Sequence, residues 1–184
     1  MDARLVAWAR AVKARRRDGQ PVLWLFTDSE RLADPCHAIA ALPRGLCGVV
    51  LRHPVGPALA RRISRLCRAR RIALVIAGDW RLAAALGAGL HLRRGRRIGA
   101  RRRWKLLTSS AHGAVELRRA RRAGAIAFLS PAFPTTSHPG AAALGAVRWN
   151  ALARPGAAAL GGIDGHSARR LRFSCAAGAI GALI

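Results

Sequence analysis

GVVLRHPVGPALARRISRLCRARRIALVIAG, residues 48–78, contains the repeating unit that decides the fold. It opens on one apolar run, residues 48–51, and closes on another, residues 72–76. Both runs are continuous rather than alternating, as strands covered on both faces are. Between them Leu59, Ile63, Leu66 and Cys67 fall on one helical stripe, with Arg61, Arg62, Arg65 and Arg68 around the rest. Strand, helix and strand joined by short connections make a right-handed βαβ unit of parallel sheet.

The same alternation extends in both directions. Further apolar runs stand at residues 22–26, 90–92, 106–108, 126–129, 157–160 and 179–184. Helical patterns stand at about residues 82–87, 113–123, 143–153 and 166–171, the last with Asp164 as its N-cap. Residues 1–20 read as a basic N-terminal helix, with Leu5, Trp8, Ala9 and Val12 at helical spacing. The eight runs predict a closed (β/α)₈ TIM barrel over residues 1–184 as a single domain, with an open doubly wound sheet as the runner-up. The chain's 184 residues fall short of the roughly 200–250 usual for a (β/α)₈ barrel, so helices must be trimmed. Two trimmed places are expected: residues 93–103, a basic loop, and the end, where no eighth helix is evident.

Composition narrows the chemistry. There are 33 Lys and Arg against 8 Asp and Glu, a formal charge of +25. Hydrophobic residues make up 52%, too many for a disordered chain. No apolar run approaches the roughly 20 residues of a membrane span. Almost all of the basic excess is arginine, which GC-rich coding explains as readily as an anionic partner does. The acids are Asp2, Asp18, Asp28, Glu30, Asp34, Asp79, Glu116 and Asp164, and none forms a local metal motif. The four cysteines show no CxxC spacing, so no zinc or redox site is expected. The start MDARLVAWARAVKARRR lacks the apolar core of a signal peptide, so the cytoplasm and reduced thiols are the expectation.

In a barrel, function sits just after each strand. Arg52-His53 follows the second run, Asp79 the third, Ser109-Ser110-Ala111-His112 the fifth, SPAFPTTSHPG the sixth and Gly161-Gly162-Ile163 the seventh. Glycines that let backbone N–H groups approach an anion, with hydroxyls beside them, predict a phosphate-bearing small molecule.

SSAHGAVELRRARRAGAIAFLSPAFPTTSHPGAAALG, residues 109–145, together with GLHL at residues 89–92 and LGGI at 160–163, resembles the thiamine phosphate synthase and thiazole tautomerase family of (β/α)₈ proteins. The likeness runs from about residue 23 to the end. It implies a thiazole phosphate or thiamine phosphate ligand at the carboxyl-terminal mouth, held by Thr135, Ser137, His138, Gly161 and Gly162. In the synthase, magnesium and cationic side chains hold a pyrophosphate. Here the family's Q-x-R-x-K is Val50-Leu51-Arg52-His53-Pro54, its Asn-Asp is Ala77-Gly78 with Asp79 displaced by one, and its loop lysine is His138. The resemblance therefore implies a depleted magnesium half-site and a retained thiazole-phosphate half-site. It makes His112, paired with Ser110, the proton-transfer residue of a metal-independent tautomerase, with Arg52 neutralising the substrate carboxylate. No protein-held metal or other cofactor is expected, and Mg²⁺ enters only if synthase activity is retained. The alternatives are an active synthase that releases pyrophosphate, and a non-catalytic barrel that binds a phosphate ligand or RNA. The only feature pointing to RNA is the arginine-rich residues 93–103 ending at Trp104.

Overall fold

The computed structural model describes residues 1–96, 103–135, 140, 142–153, 156–172 and 174–184. Eight strands close a parallel barrel in sequence order: β1 Leu23–Phe26, β2 Cys47–Leu51, β3 Ala73–Ala77, β4 Gly89–Leu92, β5 Leu107–Ala111, β6 Ile126–Leu129, β7 Ala157–Leu160 and β8 Ser174–Ala179. The circle closes where Leu23 of β1 pairs with Ala177 of β8. The expected (β/α)₈ class is thus the observed one. Around the barrel lie α1 Ala3–Ala14, α2 Cys36–Ala41, α3 Pro57–Ala69, α4 Trp80–Ala85, α5 Ala114–Arg122 and α6 Gly145–Ala153.

Two apolar layers hold this together. The outer layer packs helix stripes on the strands: α3 buries Ala60, Ile63, Ser64 and Cys67, and α5 buries Leu117 and Ala120. The inner layer fills the barrel with Trp24, Phe26, Val50, Val75, Phe128, Ala158 and Ala176. Trp24 and Phe26 each meet the Phe128 ring edge-on, with centroids 5.7 and 4.9 Å apart. Rings of this size on one short strand need space on the strands beside it. A Cβ on Gly48 of β2 would lie 2.5 Å from the Trp24 ring, and one on Gly178 of β8 would lie 2.6 Å from the Phe26 ring. Small residues opposite large ones are how a narrow barrel is packed solid.

Three expectations change, and one helix is an addition to them. The eighth strand is Ser174–Ala179, not residues 179–184. The later residues are more apolar, but a single 3₁₀ turn, Gly181–Leu183, carries them to the amino terminus, where the Asp2 N–H donates to the Ala182 carbonyl at 2.8 Å. The helix expected at residues 166–171 is one 3₁₀ turn, Ala168–Arg170, although Asp164 does accept the His166 and Ser167 N–H groups. The N-terminal helix ends at Ala14 rather than near residue 20. Finally, α2 is not among the expected helices: His37 apart, its six residues are apolar all round, so no stripe marks it.

No helix follows β8 among the described residues; α1 packs there instead, against β8 and the 3₁₀ turn at Ala168–Arg170. Asp2 fixes its start. One carboxylate oxygen caps Arg4 and Leu5, and the other accepts the Gly165 N–H at 2.7 Å. Between β4 and β5 no described residue is helical, and residues 97–102 of the expected basic loop lie outside the described residues. No described helix is long and apolar enough to cross a membrane.

Candidate functional site

Parallel strands deliver every residue that follows a strand to one face, the carboxyl-terminal mouth. On the β1–β2 side, the Arg52 guanidinium donates from Nε to the Thr27 carbonyl at 2.8 Å and lies 3.5 Å from the Asp28 carboxylate. Its carbon sits 5.7 Å from the centre of the Phe26 ring. Burial lowers the Arg52 pKa from its ordinary value, while Asp28 pulls it the other way. Thr27 Oγ1 lies 3.1 Å from His53 Nδ1. His53 Nε2 is buried with no hydrogen-bond partner among the described residues.

The middle of the mouth has a floor that the sequence reading did not single out. His91, inward-facing on β4, bonds through Nδ1 to Thr108 Oγ1 at 2.8 Å and meets the Phe26 ring edge-on. Burial, and secondarily the positive charge of Arg52, push its pKa down to about 4. A histidine this far below its ordinary value is neutral across the physiological range. The signal available in the sequence was one ionisable residue in a four-residue apolar strand.

On the β5–β6 side, exposed His112 is held at both ends. Its backbone N–H donates to Glu116 at 2.9 Å, and Glu116 in turn lies 3.4 Å from Arg94. Its ring Nδ1 lies 3.1 Å from the Ser130 carbonyl and 3.3 Å from the Ser130 hydroxyl. A carbonyl only accepts, so Nδ1 carries the hydrogen and the neutral ring keeps its lone pair on Nε2. Ser110, expected as the partner of His112, instead accepts the Arg94 backbone N–H at 3.1 Å. The hydroxyl beside His112 is that of Ser130.

On the β6–β7 side, Gly161 and Gly162 have φ of +91° and +62°. A Cβ on Gly162 would lie 2.4 Å from the Pro134 carbonyl oxygen. Backbone bonds from Ala132 to Leu160 and from Phe133 to Gly161 tie the two loops together. This close approach is enough to require glycine at 162, and it sets Phe133 and Pro134, which precede half-buried Thr135 in the chain, beside the β7 end. Ser137 and His138 lie outside the described residues.

The donors at the mouth do not fit a magnesium ion held by the protein. Asp79 caps α4 through the Leu82 N–H, and Asp28 accepts the Glu30 and Arg31 N–H groups beside the Arg52 cation. Among the described residues no three His, Cys, Asp or Glu side chains gather as a metal site. Cys36, Cys47 and Cys67 are unbridged, and burial pushes the Cys47 and Cys67 thiols up to about 12, which leaves them unreactive.

Fold and mouth together define a (β/α)₈ barrel with an arginine, a neutral buried histidine and a carbonyl-oriented surface histidine at its carboxyl-terminal end. The thiamine monophosphate synthase family model matches residues 54–182, and the chain belongs to that family, whose setting is thiamine biosynthesis. Among solved structures it is similar to the thiamine phosphate pyrophosphorylase of Pyrococcus furiosus, with a TM-score of 0.69 and 19% identity over 86% of this chain and 85% of that one. It is also similar to the thiamine phosphate pyrophosphorylase of Bacteroides thetaiotaomicron, with a TM-score of 0.60 and 20% identity over 88% and 83%. At these identities the structural likeness speaks for the fold alone. No curated protein matches the sequence.

Proposed function

We propose that this protein binds a thiazole carboxylate phosphate at the carboxyl-terminal mouth and moves a proton on its ring without a metal, as thiazole tautomerases do. The observation that carries the reading is the fixed ring of His112: the Ser130 carbonyl takes the Nδ1 hydrogen, leaving Nε2 as the base. Nε2 takes the ring proton of the substrate and returns it to the neighbouring position, so the enzyme ends the cycle unchanged. Glu116 and Ser130 act as positioning residues for that histidine. In this reading Arg52 neutralises the substrate carboxylate, Ser110 serves at the rim, and Thr135, Ser137, His138, Gly161 and Gly162 surround the phosphate. A cytoplasmic place goes with this metabolic role.

Removing a general base costs about 10²–10⁴-fold in rate. His112→Ala should therefore abolish most tautomerase turnover while leaving thiazole phosphate binding within a few-fold. Full activity in that variant would end the assignment. Family membership favours a second reading, the synthase itself. It predicts pyrophosphate release from the pyrimidine pyrophosphate and thiazole phosphate pair, abolished by a chelator. Release in that assay, with no tautomerase turnover, would replace the first reading with the second.

A further inference from the structure

We propose that the opposite face of the barrel, at the amino-terminal ends of its strands, is a binding groove for single-stranded nucleic acid. Two cavities lie there, of about 670 and 410 Å³, and they share Trp104, Lys105 and Leu106 as a common wall. Arg15 and Arg172 line the larger, Arg68 and Arg103 the smaller, and Lys105 stands at their junction. These five side chains are exposed and, among the described residues, enter no hydrogen bond or ion pair. Among the described residues Asp18 is the one acid on either wall, and it is engaged by Arg16.

Five unneutralised cations along one concavity repel one another, a cost to the fold that an anionic occupant removes. The shape indicates which kind of anion. A single phosphate needs two or three of these groups, whereas the cations here follow two connected cavities past half-buried Trp104. A cationic track with an aromatic platform midway is how proteins hold a strand without reading its sequence: phosphates meet the cations and a base stacks on the ring. Duplex DNA, with its bases stacked inside, has nothing to offer the indole. The groove lies at the other end of the barrel from the proposed thiazole site, so either reading can fail without the other.

The test is anisotropy titration of a fluorescent 12-nucleotide oligouridylate against the whole protein, across a salt series. Net charge alone attracts any polyanion, so two variants with equal loss of charge are compared. Arg68, Arg103 and Lys105 are changed to Gln in the groove; Arg61, Arg118 and Arg122 are changed to Gln on the outer faces of α3 and α5. Each lost phosphate contact lowers the salt slope by about 0.7, so the groove variant should bind about 100-fold more weakly near 0.1 M salt, with a slope smaller by about 2. The control variant should stay within about fivefold of the parent. Trp104→Leu should weaken binding about tenfold and Trp104→Phe should restore most of it. If Trp104→Leu does not fold, the Phe variant and the two charge variants still decide. Equal losses in the two charge variants would overturn the proposal, as would a flat salt dependence or equal competition by a mononucleotide.

Discussion

His91 sits in the barrel with 8% of its surface exposed, and its ring is neutral in the folded state because its pKa is pushed down to about 4. In the unfolded chain the same imidazole titrates near 6.5. Between those values the unfolded state binds the proton and the native state does not, so stability rises with pH across this window and falls on acidification. Integrating the difference gives a loss of about 2 kcal/mol from about pH 7 to pH 5, reaching about 3 kcal/mol near pH 4. Asp2, Asp18, Asp28, Asp34 and Asp164 all have lowered pKa values and are also protonated in acid, which weakens the native state in the same direction but at lower pH. A comparison of the protein with His91→Gln, which does not titrate, separates the two effects. Urea unfolding at half-unit steps from about pH 7.5 to 4.5 should give a steep fall for the parent and a flatter line for the variant, converging in acid. The variant's lower starting stability, from the lost contacts with Phe26 and Thr108, is irrelevant to the slope. Parallel lines between about pH 7 and 5 would refute the reasoning, because they would mean that His91 titrates normally in the folded barrel.

Three further variants test the α1 cap and two glycines of positive φ. Asp2→Ala removes the α1 cap and leaves the Gly165 N–H without its acceptor, which should cost about 1–3 kcal/mol in urea unfolding; an unchanged midpoint would show that α1 is not held there. Gly162→Ala places a Cβ 2.4 Å from the Pro134 oxygen at φ +62° and should shift the β6–β7 loops and weaken thiazole phosphate binding at least tenfold by calorimetry, on the proposed function. Gly124→Ala, with φ +73° but nothing within 4 Å of its Cβ, should lose about 1–2 kcal/mol of stability and keep the ligand. Equal affinities in the two variants would remove Gly162 from the site.

The barrel was legible because its strands are continuous apolar runs and α3 carries an unbroken stripe. Legibility failed where those signals thin out. Ser174–Ala179 is built of small residues, and the run after it is more apolar, so the eighth strand was expected too late. Cys36–Ala41 makes fewer than two turns and, His37 apart, is apolar all round, so it carries no stripe. At the mouth, sequence spacing located Arg52, Ser110 and His112, but hydrogen bonding depends on which residues of neighbouring strands stand side by side. Ser130 of the next unit is 18 positions from His112, and only the β5–β6 register brings it alongside. The floor formed by His91 and Thr108 likewise belongs to a cross-strand pairing, β4 with β5.

The Phe26 ring and the bare Cα of Gly178 occupy adjoining strands at a separation that admits no extra atom. Neither position can drift alone. An alanine at 178 meets the ring, and a leucine at 26 leaves a void against Phe128 and loosens the surface that Arg52 and His91 rest on. Changed together, the two substitutions offset one another, because the added methyl moves into the space the smaller side chain gives up. Phe26→Leu with Gly178→Ala should therefore cost less than the sum of the single changes. The two residues are thus one energetic unit, and Arg52 and His91 at the mouth both rest on it through the Phe26 ring.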